Sequence, residues 1–157
     1  MKNVKFLLSA ALVFLASAAL AQDLSAPQYA KWGATPEERE QNILNSNFLK
    51  ESCDNRDYDA AAHYLKGLID KIPDAAESIY QRGAVVYKNK INRAKSVAEK
   101  NMFIDSLMLM YDMRAQYFGD NVKPGKTAFI LDQKAREFLR YKPNDRKGIR
   151  EAFRAAI

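Results

Sequence analysis

The chain has 157 residues, 25 Lys and Arg against 19 Asp and Glu, a formal charge of +6, one His and one Cys. A single cysteine excludes an intramolecular disulfide, and one His with one Cys cannot by themselves make a His/Cys metal centre. With 48% apolar residues the chain can bury a continuous core as one domain.

The N-terminus carries a targeting pattern. Lys2 and Lys5 precede an apolar run from Phe6 to Ala19, broken only by Ser9 and Ser17, and Ala19-Leu20-Ala21 offers a small-x-small cleavage site. This reads as a signal peptide over residues 1–21, with Gln22 as the new N-terminus. The alternative, an uncleaved anchor, fits less well, because the run is barely long enough to span a bilayer. No Cys follows the run, so no lipid anchor is expected. The expected location is the periplasm or cell envelope. Loss of Lys2 and Lys5 reduces 25 basic residues to 23, which against 19 acidic ones leaves +4. Nucleic acid is not an expected partner of such an exported chain. No apolar run after the leader could cross a membrane. The C-terminal basic residues Arg136, Arg140, Lys142, Arg146, Lys147, Arg150 and Arg154 read as a solvated helical face, with an anionic partner surface as the alternative.

Residues 22–34 are expected to be extended, because Ala26-Pro27 and Gly33 discourage a helix. Trp32 is expected to pack back on the first hairpin. Thr35-Pro36-Glu37-Glu38 is a helix start, with Thr35 as N-cap and Glu38 completing a capping box. The helix should turn Leu44, Phe48, Leu49 and Cys53 inward and stop near Asp54-Asn55. Cys53 reads as a buried, inert thiol, and His63 as facing away from it. A second helix carries Tyr58, Ala61, Ala62, Leu65, Leu68, Ile69 and Ile72 at spacings of three and four, and ends at Pro73. The short turn between the two makes them antiparallel.

Asp74 is the expected cap of a third helix, with Glu77 as its capping-box partner. Ile79, Tyr80, Gly83, Val86 and Tyr87 form its inner face. A helical Gly costs about 1 kcal/mol relative to Ala, which close approach of a neighbouring helix would offset at Gly83. A fourth helix should run from about Ala94 to Phe118, with Phe103, Leu107, Met110, Tyr111, Arg114, Tyr117 and Phe118 on one side and Gly119 as its C′ residue. Met102, Met108, Met110 and Met113 read as adaptable core. A fifth helix spans about Lys126–Tyr141, with Ala128, Leu131, Ala135, Phe138 and Leu139 inward. A sixth runs to Ile157. No segment alternates at period two, so the expected fold is all-α, with six helices in three antiparallel hairpins over residues 35–157.

Asp57-Tyr58-Asp59-x-Ala61 … Leu65 … Leu68 … Pro73 resembles the second helix of a tetratricopeptide repeat, and Ile79 … Gly83 … Tyr87 the first helix of the next. The repeat-packing residues are then Tyr58, Ala61, Leu65, Leu68, Pro73, Ile79, Gly83 and Tyr87. Further stretches extend the likeness: the leader, Lys31-Trp32-Gly33-Ala34-Thr35-Pro36-Glu37, Asp105-Ser106-Leu107-Met108, and Tyr111-Asp112-Met113-Arg114 … Tyr117-Phe118-Gly119-Asp120. With these the whole chain resembles an exported tetratricopeptide-like family of Bacteroides-type bacteria. The resemblance implies hairpins stacked as an α-solenoid, and family members are usually longer and carry further repeats. From Ala76 to Phe118 this sequence exceeds the usual 34-residue unit by about nine residues, so the superhelix is expected to be irregular. The chain ends in an apolar helical pattern without a polar cap, which suggests a truncated array or a pairing surface.

Catalytic patterns are absent. Asp54-x-x-Asp57-x-Asp59 lacks the Gly and Glu of a calcium loop and reads as an inter-helix turn. There is no HExxH, CxxC, GxSxG or phosphate-cradling loop. The reading is a non-catalytic scaffold, with no metal or cofactor, that holds a protein or peptide partner in a groove lined by the first helix of each pair. Asn45, Lys88 and Lys134 are the candidate groove residues. One alternative is an envelope accessory binding a glycan or small solute through Trp32, Tyr80, Tyr87 and Tyr117. Another is a truncated fragment without a function of its own. Self-association through the C-terminal helix, by way of Ile149, Phe153 and Ile157, is a further expectation.

Overall fold

A computed structural model of the chain describes residues 23–157. The expected leader lies outside the described residues. Among the described residues the fold is all-helical: a 3-10 turn (Pro27–Trp32), then α1 (Pro36–Asp54), α2 (Tyr58–Lys71), α3 (Glu77–Arg93), α4 (Val97–Phe118), α5 (Lys126–Tyr141) and α6 (Arg146–Arg154). Each helix packs against the next, and α1 also touches α3. No described helix is long and apolar enough to cross a membrane.

The segment before α1 is not extended. Pro27 starts a 3-10 turn whose φ it pre-sets. Side chains of α1 then hold the segment in place. Asn42 Nδ2 donates to the Trp32 carbonyl at 2.8 Å, and the Arg39 guanidinium donates to the carbonyls of Gly33 (2.8 Å) and Leu24 (2.7 Å). Trp32 packs partly buried on the core, as expected.

The same helix, α1, buries a partly polar face. Its buried residues are Asn42, Ser46 and Leu49, with Cys53 half-buried on the same side. These are spaced by four, three and four, so they form one helical face. Leu44, expected inside, is 41% exposed. Leu49 and Cys53 lie inward as expected, and Phe48 is half-buried, but periodicity missed Asn42 and Ser46 because they are polar. Thr35 caps the helix as expected, accepting from the Glu38 amide at 3.2 Å, and Glu38 Oε2 accepts from the Ala34 amide at 2.8 Å.

Asp57 caps α2 through the Ala60 amide. Tyr58, Ala61, Leu65 and Leu68 are buried along it. Removal of Leu65 and Leu68 from water stabilises the fold by about 1.5–3 kcal/mol each. Ile79, Tyr80, Gly83, Ala84, Val86 and Ile91 are buried along α3, while Tyr87 is half-buried. Pro73 ends the preceding segment, and its carbonyl accepts the Tyr80 hydroxyl at 2.7 Å.

Asp74 does not cap α3. The helix begins three residues later, with Ala76 at the N-cap position and no side-chain cap, and Asp74 instead pairs with Lys31 at 3.7 Å. Glu77 is therefore free of the expected capping box and serves elsewhere. The capping box that does form belongs to α4: Ser96 accepts from the Glu99 amide, and Glu99 accepts from the Lys95 amide. That box moves the start of α4 from Ala94 to Val97.

The core falls into two clusters. One joins α1, α2, α3 and the C-terminal half of α4 around Leu49, Leu65, Leu68, Tyr80 and Met110. The other joins α3, α4 and α5 around Ile91, Ile104, Leu107 and Ile130. Tyr87 packs on both. Because α4 lies between α3 and α5, it is buried around most of its circumference, including Ile104 and Met108. On α5 the buried residues are Ile130 and Ala135, the latter as expected, whereas Leu139, also expected inside, is exposed. The last helix is shorter than expected and stops at Arg154. Its Ile149 and Phe153 are half-buried, and Ile157 is exposed.

Gly83 sits at a close approach. A Cβ there would lie 2.7 Å from Met110 Sδ and 3.2 Å from Leu65 Cδ1. Gly119 is not left-handed, with φ −86°. Its requirement is steric: a Cβ would lie 2.2 Å from Thr127 Oγ1 and 2.3 Å from the Ala115 carbonyl oxygen. The same Thr127 exchanges two hydrogen bonds with Asp120, which closes the loop between α4 and α5.

Candidate functional site: the cleft between the third and fifth helices

The first helices of the second and third hairpins, α3 and α5, are separated by a cleft of about 310 Å³ backed by α4. Gln81, Ala84, Val85 and Lys88 line it from α3, Tyr111 from α4 and Glu137 from α5. The residues follow from helical spacing. Gln81, Ala84, Val85 and Lys88 are three and four apart, and Gln133 and Glu137 are four apart, so each helix presents one continuous stripe.

Polar contacts across this cleft hold the helices together. Lys88 forms an ion pair with Glu137 Oε1. The Lys88 ammonium is also shared with the Tyr111 hydroxyl. Burial works against the charge on Lys88, but its bonds to Glu137 and Tyr111 outweigh that and hold its pKa above the ordinary value. Burial pushes the Tyr111 hydroxyl up, against the opposing pull of Lys88. Glu137 is nearly inside, its side chain 15% exposed. Its second oxygen, Oε2, is buried without a hydrogen-bond partner. A buried acceptor left in that state costs about 1–3 kcal/mol unless something donates to it.

A second network lies at the end of the cleft. Glu77, at the start of α3, accepts from Arg114 Nε of α4 at 2.9 Å and from Lys126 Nζ of α5 at 2.7 Å. Arg114 Nη1 donates to Gln133 Oε1 at 2.9 Å. Burial opposes ionisation of Glu77, but the two cations prevail and hold its pKa below the ordinary 4.5.

Of the three residues expected to line a groove, only Lys88 lines this cleft. Lys134 is bonded to both carboxylate oxygens of Asp112, at 2.5 and 2.7 Å. Asn45 accepts from Gln41 at 3.1 Å and lines a separate shallow pocket with Tyr64 and Gly67 of α2. Sequence reading missed Glu137, Tyr111 and Glu77 as a polar set. Lys88 and Glu137 lie on different helices far apart in the chain, and no local spacing links them.

A larger hollow of about 480 Å³ runs between α2 and α4, lined by Ile69, Tyr87, Met102, Phe103, Leu109 and Met113 among others. It is mostly apolar. Its charged rim is internally matched, with Lys66 paired to Asp70 at 2.5 Å and Lys90 paired to Asp59.

The aromatics considered for a small solute are engaged in packing. Tyr80 is 1% exposed, Tyr117 stacks on it at 6.3 Å, and Trp32 lies against the first core cluster. Cys53 is half-buried against the first core cluster, where burial pushes its thiol up, whereas His63 is exposed and lies edge-on to Tyr64. Among the described residues no group of three His, Cys, Asp or Glu could hold a metal ion. Comparison with protein-family models, curated proteins and solved structures gives no match.

Proposed function

We propose that this chain is a non-catalytic, tetratricopeptide-type scaffold of the cell envelope, exported by its N-terminal leader, that holds a protein or peptide partner in the cleft between α3 and α5. The observation that carries the reading is the cleft itself. It opens between the first helices of successive hairpins and is lined by Gln81, Val85 and Lys88 from one and Glu137 from the other. Stacked hairpins place the faces of their first helices on a shared concave surface, which suits an extended or helical segment. Packing of each helix on the next, and of α1 on α3, supports stacking of the first two hairpins, while α3 and α5 are bridged by α4 rather than packed on each other. The small-solute alternative draws less support, because Tyr80, Tyr117 and Trp32 are committed to the core. Self-association through α6 also draws less support, because Ile149 and Phe153 are half-buried and leave Ile157 as the exposed apolar residue.

The test is site-specific photocrosslinking in cells. A photoreactive residue at Gln81 or Val85, both exposed on the cleft rim, should give a discrete adduct. The same probe at Glu151 on α6 should give none. Adducts from Glu151 alone, or from neither face, would overturn the assignment. An N-terminus at Gln22 on the protein recovered from the envelope would support export.

A further inference from the structure

We propose that the hollow between α2 and α4 binds a single-chain fatty acid, with the chain along the apolar floor and the carboxylate at the end where both helices begin. The inference does not rest on the cleft between α3 and α5, whose lining shares only Met110 with this hollow. At about 480 Å³ the hollow lies within the size range of sites that enclose a small ligand. Its lining on α4 runs from Met102 to Met113, about 16 Å of helix. Buried Leu65, Phe103 and Met110 line it together with Met102 and Leu109, which are 54% and 51% exposed. Three of the lining residues are methionines, whose unbranched side chains adapt to a flexible chain.

Charge places the head. A smaller hollow of about 290 Å³ adjoins the first, because Lys90 and Phe103 line both. The Lys90 ammonium lies over the Phe103 ring, 5.0 Å from its centre, at this border. Tyr58 and Asp59 line the smaller hollow from the start of α2 and Glu99 from the start of α4, with Arg93 and Lys95 between α3 and α4. The apolar hollow continues from there along both helices, to Asp70 on α2 and Met113 on α4.

Four cations, Lys66, Lys90, Arg93 and Lys95, and three carboxylates, Asp59, Asp70 and Glu99, line the two hollows, an excess of one positive charge. Lys66 is taken by Asp70 along the side, and Lys90 by Asp59. Glu99 accepts the Lys95 backbone amide in the capping box. Arg93 helps Lys90 to lower the Asp59 pKa, but the Asp59 bond goes to Lys90. The Lys95 ammonium and the Arg93 guanidinium, which lies 4.8 Å from the centre of the Tyr58 ring, are left without an ion pair among the described residues. A guanidinium beside an ammonium suits a carboxylate. A cationic head would be repelled there, and a neutral one would leave both charges unused. An amphipathic partner helix would need matched charges along its two flanks, whereas the unpaired cations stand together at one end.

The experiment is a titration of the isotopically labelled mature protein with octanoate, followed by backbone amide shifts. The controls are octan-1-ol, octyltrimethylammonium and acetate. Octanoate should give saturable shifts around residues 58–70, 90–95 and 102–113, with an affinity on the order of 1 mM. Octan-1-ol and octyltrimethylammonium should bind about three- to tenfold more weakly, as expected for exposed charge pairs, and acetate should not saturate. Arg93→Gln combined with Lys95→Gln, both at exposed positions, should bring octanoate down to the level of octan-1-ol and leave octan-1-ol unchanged. Leu109→Glu should abolish both responses by placing a charge in the path of the chain. If that variant fails to fold, Met102→Glu makes the same test.

No saturable shift with octanoate would overturn the proposal. So would equal binding of octan-1-ol or octyltrimethylammonium, or shifts that map to residues 81–88 and 133–137. A ligand-free dimer in sedimentation that Leu109→Glu dissociates would assign the hollow to a second copy of the chain and overturn it too.

Discussion

Gly83 shows how a single residue can be necessary without any special backbone angle. It sits on α3 where Met110 of α4 and Leu65 of α2 converge, both within 3.2 Å of where a Cβ would stand. The nearer neighbour is a flexible thioether, so one methyl group could be accommodated by a shift of Met110. A larger side chain could not. Gly83→Leu is expected to cost about 1–3 kcal/mol through overpacking, read as a lower midpoint in urea unfolding. An unchanged midpoint would show that the three helices can part there without loss. Gly119 illustrates the opposite lesson. Its place after α4 suggested a left-handed terminating residue, but its φ is −86°, and what excludes a side chain is the Ala115 carbonyl and Thr127 crowded against it.

At the scale of elements, Glu77 binds three helices at once. It stands in the first turn of α3, where a carboxylate is also favoured by the helix dipole, and it receives one cation from α4 and one from α5. Its pKa in the fold lies below the ordinary 4.5. The stabilisation is therefore fully present above about pH 4.5 and declines as pH falls through the lowered value. Glu77→Gln should destabilise the protein by about 1–3 kcal/mol at pH 7, less than for a fully buried pair because the site is partly exposed. The deficit should shrink as the medium is acidified towards pH 3. A deficit that stays constant with pH would mean that packing, not charge, links Glu77 to its neighbours. The element boundaries repeat the theme that caps decide register. Ser96 and Glu99 form the capping box that starts α4, while Asp74, an equally plausible cap by residue type, is drawn away to Lys31 and leaves α3 to begin at Glu77.

For the whole molecule, the two core clusters raise the question of cooperativity. They share α3 and α4, and Tyr87 packs against both. Neither cluster has its own complete set of helices, so opening one exposes surface that the other needs. The described domain is expected to unfold in a single step. Trp32 is the only tryptophan of the chain and reports on the first cluster, whereas far-ultraviolet dichroism reports on all helices. The two urea curves should superimpose. A tryptophan transition at lower denaturant than the dichroism curve would show that the first cluster opens alone.

The sequence by itself determined the helical class, the limits of α2 and α5, and the buried stripe of α2. Those features rest on local rules: spacing by three and four, an Asp or Thr before a helix, a Pro after one. The proposed export and stacking stand on two other readings of the sequence, the charged-apolar-small pattern of the leader and the resemblance to tetratricopeptide repeats. Spacing placed Leu49 and Cys53 on the inner face of α1, but only the tertiary structure showed that Asn42 and Ser46 complete it, Asn42 through its bond to the Trp32 carbonyl. It also decided that Ile130 rather than Leu139 anchors α5, since the second cluster approaches from the side of α4. The cleft is of this kind too. Lys88 and Glu137 are ordinary surface residue types on separate helices, and their pairing, with one carboxylate oxygen left unmet, arises only where α3 and α5 face each other across α4. Charge pairing between distant helices leaves no periodic trace in a chain, so no reading of local pattern could have found it.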